Sequence, residues 1–391
     1  MKVDIVIGAN YGDEGKGLFT EFLSQSQDNS IVVLANGGCQ RGHTVNDTQY
    51  GKHVFHHFGS GTLRGKLTYF ASTYLLNPMQ FCKEYDELQA ILGKAPIAFR
   101  HPDCIIQLPV DIALNWHIEK CRGEKHHGSV GCGIWETVHR SRNCSYSFLN
   151  SLTFRKFCEM NYIEMLKIIR DKSLSYAKIR CAEAGVTSNI DLLDIFLSQG
   201  FAEHFIADTL RMQQLCQEQC ANDLEDKYDH LVFENGQGLK LDQYYNITDL
   251  ANTTPSYTGS IAIANMLQNS SLHIDEVCIN YISRTYLTKH GAGKFEEECP
   301  GMQFNDTTNI WNEWQEGLRF GELDYDSLYK RIDLDFNYFK KFCPRCKNVK
   351  KSIAFTHANE VNVASAVLGQ PGFSCMYESS TDKANDIIAV L

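Results

Sequence analysis

Two carboxylates and a lysine stand among three glycines in the run Gly12-Asp13-Glu14-Gly15-Lys16-Gly17. Glycines let a backbone come close to an anion and take positive φ where a turn needs it. Lys16 can neutralise a phosphate held by loop N–H groups and a following helix N-terminus. A carboxylate inside such a turn is costly unless it holds Mg²⁺ or takes a proton from the substrate. Asp13 is therefore a candidate general base and metal ligand. The run departs from the ordinary phosphate loop, G-x-x-x-x-G-K-[ST], because Gly17 stands where the magnesium-binding hydroxyl would be.

Three other glycine-rich stretches carry polar chemistry. Gly37-Gly38-Cys39-Gln40-Arg41-Gly42-His43-Thr44 presents an imidazole that can protonate a developing oxyanion or stabilise a transferring phosphoryl group. Gly128-Ser129-Val130-Gly131-Cys132-Gly133 is flanked by Arg122, Arg140 and Arg142, and N–H groups with guanidinium groups suit a monophosphate. Gly236-Gln237-Gly238 exposes an amide that can read a purine edge or a phosphate.

The elements that must position these loops are legible from periodicity. Val3–Ile7 is β-branched and nearly uninterrupted, as a strand buried on both faces should be. Leu18–Ser24 has helical spacing. Ile31–Leu34, His230–Glu234, Glu276–Ile282 and Ser352–Phe355 read as further strands, and Pro78 suits the first turn of a helix through Leu88. Strands running into glycine loops place those loops at one carboxyl edge of the sheet, where open α/β sheets bind ligands. Residues 145–230 are mostly helical in pattern, over Phe148–Ile169 and Ile190–Gln219, with Cys216 and Cys220 on one helix. The expected fold is α/β: a large, mostly parallel central sheet with helices on both faces. A helical insert at 145–230 lies within one catalytic domain spanning 1–391.

Composition narrows the class. With 391 residues, 43% of them hydrophobic, the chain can bury a full core. A formal net charge of −10 excludes duplex binding by bulk charge, so no nucleic-acid partner is expected and anionic ligands need a local site. The chain opens directly on a strand, with no signal peptide and no apolar run of membrane-spanning length, so no membrane partner and a cytoplasmic location are expected. Fifteen cysteines, an odd number, fit free thiols in a reducing compartment. Cys343 and Cys346 have zinc-ligand spacing without making a complete ligand set.

The six-residue run resembles the G-D-E-G-K-G signature of the adenylosuccinate synthetase family. Gly42-His43-Thr44, Gly236–Gly238, Asn252–Thr254 and Gly291–Gly293 resemble other family segments, and the likeness runs from Val3 to about Asp382. The resemblance implies a ligase that moves the γ-phosphoryl group of a nucleoside triphosphate to O6 of a purine monophosphate and then displaces it with L-aspartate. It assigns Asp13, His43 and Lys16 to catalysis, and Mg²⁺ to Asp13 and the Gly42 carbonyl. Gly12, Glu14, Gly15, Gly17, Gly42, Thr44, Asn359 and Ser379 fall on nucleotide and phosphate positions. Gln40, Arg41, Ser129, Val130, Arg140 (with Arg142 the alternative), Gln237, Asn252, Thr253 and Thr254 fall on the monophosphate site. Thr307, Thr308, Gln315 and Arg319 fall in the aspartate region. The family is typically homodimeric.

Three departures stand together. Gln40-Arg41 replaces an Asn-Ala pair, a run of four arginines before Gly321 is gone, and Asn359 replaces an aspartate that reads guanine. Asn is bidentate to an adenine edge, which points to ATP or dATP as donor. The combination resembles the family's phage branch, which makes 2-aminoadenylosuccinate from dGMP, aspartate and ATP for diaminopurine DNA. A member of that branch works in the host cytoplasm. Retention of Asp13 points instead to ordinary synthesis from IMP and GTP. A non-catalytic nucleotide sensor on the same fold is the alternative from another class.

Overall fold

The structure, a computed structural model, describes residues 1–390 apart from 27–28, 124–128, 144–148, 189–190, 245–257, 292, 305, 307–316, 362 and 364–371. Its centre is a ten-stranded sheet. In chain order the strands are β1 (Lys2–Gly8), β2 (Ser30–Leu34), β3 (Leu67–Phe70), β4 (Ala98–Arg100), β5 (Cys216–Glu218), β6 (His230–Gly238), β7 (Glu276–Arg284), β8 (Val349–Thr356), β9 (Cys375–Glu378) and β10 (Ile388–Ala389). Their order across the sheet is β10-β9-β8-β7-β1-β6-β2-β3-β4-β5. Every neighbouring pair is parallel except β9 with β10.

Alternating side chains of the central strands serve opposite faces, as the two-residue period of a strand requires. From β2, Val32 and Leu34 enter a cluster with Phe81, Leu114 and Phe205. These belong to helices α2 (Pro78–Leu92), α3 (Pro109–Arg122) and, further on, Gln199–Leu215. Ile31 and Val33 enter a second cluster with Ile263 and Ile332, from helices Ile261–Asn269 and Tyr325–Phe342. Helices thus cover both faces. Each fully buried Ile, Val or Leu contributes roughly 1.5–3 kcal/mol relative to exposure.

The sequence-predicted strands and the helices at Leu18 and Pro78 are present within a few residues of their expected ends. α2 opens as its sequence predicts: Pro78 occupies the first turn and the Asn77 side chain accepts the Gln80 N–H at 3.0 Å. The 145–230 region holds several helices, including Ser173–Ala184. Its last helix stops at Leu215, and Cys216–Glu218 pairs with Ala98–Arg100 as an edge strand. Cys216 is therefore on a strand, not a helix, and Cys220 lies beyond it. Three residues are too few to show an alternation, and pairing to β4 with an Arg100–Glu218 contact of 2.9 Å overrides the helical period. Among the described residues no helix is long and apolar enough to cross a membrane.

Candidate active site

The carboxyl ends of β1, β2, β6 and β8 meet at one edge of the sheet, and their loops wall a cavity of about 1070 Å³. Gly8 pairs with Gly238 across β1 and β6 at this edge. A Cβ at Gly238 would lie 2.3 Å from the Asn10 carbonyl oxygen, so the two loops touch only because glycine stands there.

In the first loop the two carboxylates turn opposite ways. Glu14 is buried, its Oε1 accepts the N–H groups of Asn10 and Gly12, both at 2.9 Å, and its Oε2 takes Lys16 Nζ at 3.1 Å. A Cβ on Gly8 would stand 2.3 Å from that Oε2. Glu14 is thus an internal brace of the loop rather than a nucleotide contact, which corrects the expectation from sequence. The chain turns through φ 99° at Gly12, 59° at Asp13 and 95° at Gly15. Asp13 consequently points outward, its side chain one-third exposed (34%), with Oδ2 3.6 Å from His290 Nε2. Arg284 Nε donates to the Asp13 carbonyl at 2.6 Å and fixes the turn.

Helix α1 (Lys16–Ser24) begins directly behind this turn with Gly15 as its N-cap and no side chain capping it. Gly15, Lys16, Gly17 and Leu18 all line the cavity. An uncapped helix N-terminus with a lysine in its first turn is a ready anion site. A Cβ at Gly17 would crowd His43 Cβ and Ser60 Oγ, both at 3.0 Å.

His43 follows from β2 and sits against a buried acid. Its Nδ1 lies 2.5 Å from Oε1 of Glu234, midway along β6. Arg41 Nη2 lies 3.0 Å from the same oxygen and 3.0 Å from the same ring nitrogen. Ser60 donates to Glu234 from its N–H at 2.9 Å and also from its hydroxyl. Burial opposes ionisation of Glu234, yet Arg41 and His43 hold its carboxyl down at about 2. Burial, with Arg41 and Lys16 nearby, pushes the His43 imidazole down to about 4. The pair is therefore a carboxylate and a neutral ring. A contact of 2.5 Å needs a proton between the two atoms, so Nδ1 carries it and donates to Glu234.

Several other expected residues join the same wall. Gly12, Gln40, Gly42, Thr44, Ser129, Val130, Gln237 and Asn359 all line the cavity. Gln40 folds back so that its Oε1 accepts the Gly38 N–H at 2.7 Å. Ser129 Oγ exchanges hydrogen bonds with the Asn115 amide at 3.0 and 3.2 Å. Gln237 holds φ 64°, and its Oε1 is buried without a partner among the described residues. Asn359 is exposed on the β8 side of the cavity.

Four expected contacts are corrected. Arg140 is fully buried: Nε and Nη2 clasp Asp111 at 2.8–3.2 Å, while Nη1 and Nη2 donate to the carbonyls of Leu149 and Ile106. It has no face left for a phosphate. Arg41 belongs to the cavity lining through its slightly exposed backbone, while its side chain is fully buried and turned onto Glu234 and His43. Arg319 pairs with Glu298 at 2.8 Å and donates to the carbonyls of Gly291 and Gly293 at 3.0 Å, stapling a loop rather than facing the cavity. Ser379 spends its hydroxyl on the Thr381 carbonyl at 2.8 Å and does not line the cavity, whereas Ser380, Thr381 and Asp382 do. Asn252, Thr253, Thr254, Thr307, Thr308 and Gln315 lie outside the described residues.

Glu234 and Ser60 belong to this cluster, although sequence reading named Glu234 only as the last residue of a strand and passed over Ser60. The available signal was a carboxylate closing an apolar strand, His230-Leu231-Val232-Phe233-Glu234, immediately before a glycine loop. Among the described residues no three His, Cys, Asp or Glu side chains converge as a metal cage. Mg²⁺ is commonly held by one or two carboxylates together with substrate phosphates. The partly exposed Asp13 carboxylate and the exposed Gly42, both on the cavity wall, fit that mode of binding. Cys343 and Cys346 are free thiols with sulfurs 3.3 Å apart, remote from the cavity lining.

An uncapped helix N-terminus, a lysine, an outward aspartate and an anchored histidine at the carboxyl edge of a doubly covered sheet define a nucleotide-binding α/β enzyme. Comparison with known proteins narrows this class. The sequence model of the adenylosuccinate synthetase family matches residues 5–321, and the chain belongs to that family. It is accordingly a C–N ligase that joins aspartate to a purine nucleotide. The adenylosuccinate synthetase of Hamiltonella defensa subsp. Acyrthosiphon pisum (strain 5AT) is 26% identical over 347 residues, covering 85% of this chain and 73% of that protein. Two solved structures share the fold. One is the fully ligated adenylosuccinate synthetase of Plasmodium falciparum, with TM-score 0.59, 16% identity, and 99% and 87% of the two chains covered. The other is the succinoaminodeoxyadenylate synthetase of cyanophage S-2L bound to dGMP and dATP as an energy donor, with TM-score 0.59, 13% identity, and 99% and 95% covered.

Proposed function

We propose that this ligase uses dGMP as the purine acceptor and ATP or dATP as the donor, making 2-aminoadenylosuccinate for diaminopurine DNA of a phage. The observation that carries the reading is Asn359. It is exposed on the cavity wall at the position where the family has a guanine-reading aspartate. An uncharged amide that both donates and accepts matches an adenine edge and lacks the charge that selects guanine. The dGMP- and dATP-bound cyanophage enzyme supports the reading as a protein of similar fold with that pairing of ligands.

The chemistry proceeds in two steps. Asp13 takes the N1 proton of the 6-oxopurine, and O6 attacks the γ-phosphorus as the donor's β–γ bond breaks. The aspartate amine then adds at C6 and the phosphate leaves with O6. Lys16 and the α1 N-terminus hold the transferring group, and the His43 ring stands beside it. Asp13 and the Gly42 carbonyl would hold Mg²⁺, which would neutralise charge on the donor phosphates. Ser129, Gln237 and the Thr253-Thr254 pair hold the monophosphate, Thr307, Thr308 and Gln315 the aspartate, and the enzyme works as a cytoplasmic homodimer.

A second reading has its own observation. Asp13 is retained and faces the cavity, as ordinary synthesis from IMP and GTP requires. A substrate matrix separates the two: IMP, GMP and dGMP against GTP, ATP and dATP, read as aspartate-dependent phosphate release. Turnover with dGMP and an adenine nucleotide is expected. Turnover confined to IMP with GTP overturns the proposal, and no turnover with any pair leaves the sensor. Asn359→Asp should shift preference towards GTP by about tenfold or more, the size of one good base-edge contact.

A further inference from the structure

Arg41 is a departure from the family pattern, which has alanine there, yet it lies wholly inside the protein. Its side chain has no exposure, so the cavity that Arg41 helps to line is met by its backbone and not by its guanidinium. Its stem runs along the Gly236 backbone, where an added Cβ would stand 3.2 Å from Arg41 Cγ. The guanidinium ends against two groups at once, Glu234 Oε1 and His43 Nδ1, both 3.0 Å from Nη2. Nε and Nη1 have no partner among the described residues. A buried cation with two unsatisfied nitrogens is expensive. The one strong contact that offsets the cost is with Glu234, the acid that also holds the catalytic ring.

We propose that Arg41 is a positioning residue for His43. By keeping Glu234 ionised, it preserves Oε1 as the acceptor that fixes the ring's orientation and its Nδ1–H tautomer. Four donors converge on Glu234: His43 Nδ1–H, Arg41 Nη2–H, and the N–H and hydroxyl of Ser60. A carboxylate so surrounded stays ionised and keeps Oε1 as an acceptor for the ring. Nη2 also packs against the ring edge at Nδ1, so rotation of the imidazole out of this position meets the guanidinium. The Nε2 lone pair is thereby left for the cavity. The group that orients a working imidazole commonly decides its tautomer in this way.

The inference rests on the reading that His43 acts in the transfer, and the test separates the two. Arg41→Ala and Arg41→Lys are compared with the parent enzyme. Arg41→Ala should lower kcat for aspartate-dependent phosphate release by about 10- to 100-fold, leave the KM for the purine monophosphate unchanged, and regain rate with added guanidinium ion. Arg41→Lys should retain an intermediate rate. A raised monophosphate KM with kcat intact would make Arg41 a substrate ligand and overturn the proposal. Independently of activity, ¹⁵N NMR of the imidazoles, with the His43 signal assigned through His43→Gln, should show the Nδ1–H tautomer in the parent and a mixture in Arg41→Ala. Identical spectra would overturn the positioning role. If Arg41→Ala does not fold, Arg41→Lys carries the same spectral test. Absence of turnover in the parent enzyme removes the functional reading, while the spectra still decide the role of Arg41.

Discussion

Strand β6 carries two carboxylate–imidazole contacts, one at its first residue and one further towards the carboxyl edge of the sheet, and the two have different fates. At the amino end His230 Nε2 meets Asp4 Oδ2 at 2.8 Å. Towards the carboxyl end, at the strand's fifth residue of nine, Glu234 Oε1 meets His43 Nδ1 at 2.5 Å. Both pairs are buried. Asp4 is further satisfied by Asn280 Nδ2 and Lys2 Nζ, each at 2.9 Å, and none of these groups lines the cavity. The cation at the amino end is half exposed (49%) and can return to water, whereas Arg41 at the carboxyl end has no exposure at all. Identical functional groups therefore serve structure at one end and a site at the other. What differs is the end of the parallel sheet at which they lie, since loops and helix N-termini converge only at the carboxyl edge.

The sharpest way to break this comparison is to remove the groups proposed to react. Asp13→Asn and His43→Ala should each lower aspartate-dependent phosphate release by about 10²- to 10⁴-fold, the usual worth of a positioned acid–base group. Circular dichroism and the melting temperature should stay near those of the parent. His230→Asn should leave the rate per folded molecule unchanged. Retained turnover in Asp13→Asn, or a rate loss in His230→Asn, would erase the distinction between the two ends.

A smaller effect comes from neutralising each acid in place. Glu234→Gln leaves Arg41 buried without a counter-charge, which should cost about 3–5 kcal/mol of stability. It should also lower kcat about 10- to 100-fold through misplacement of His43. Asp4→Asn loses charge-assisted hydrogen bonds but frees Lys2 to solvent, so about 1–3 kcal/mol is expected, with kcat unaltered. Urea unfolding and steady-state rates measured on the same two variants decide the matter. Equal stability losses with equal rates would make the two clusters equivalent.

Sequence made the scaffold legible because β-branched runs such as Val3–Ile7 leave little choice but a buried strand, and the glycine loops after β1, β2 and β6 mark the edge where ligands gather. The sense of side chains within a loop was not legible. Asp13 and Glu14 are adjacent and chemically alike, and only the backbone path through φ 99° and 59° sends one out and the other in. Arg140 looked free because its captor, Asp111, lies 29 residues earlier on α3. Arg319 looked like a carboxylate clamp, since the carbonyls of Gly291 and Gly293 cannot be seen as acceptors without the loop that brings them round. Arg41 looked like a nucleotide contact because a basic residue beside a phosphate loop ordinarily is one; its burial depends on the space left by Gly236. Long-range pairing, not local pattern, decides each of these.

The two ends of β6 should also separate by pH. The His43 ring is held at about 4 against an ordinary 6.5, first by burial and then by Arg41. Below pH 6.5 the unfolded chain takes up a proton that the native ring refuses, so native stability falls as pH drops from 6.5 to 4 and levels off below that. Glu234 is held at about 2 against 4.5, so its contribution is complete above pH 4.5 and is lost between 4.5 and 2. Asp4 is held below 3.8, with burial opposing and the His230 hydrogen bond and Lys2 lowering it, and its contribution is lost only as pH falls below 3.8. Between pH 6.5 and 4.5 the carboxyl-end ring therefore titrates in the unfolded state while Asp4 stays silent. The expected measurement is the urea unfolding free energy at pH 7 and pH 4.5. The drop between them should be about 2 kcal/mol smaller in His43→Gln than in the parent. Asp4→Asn should reproduce the parent's drop. If His43→Gln shows the parent's full drop, the ring is not held neutral by its surroundings, and the carboxyl end of β6 differs from the amino end in position alone.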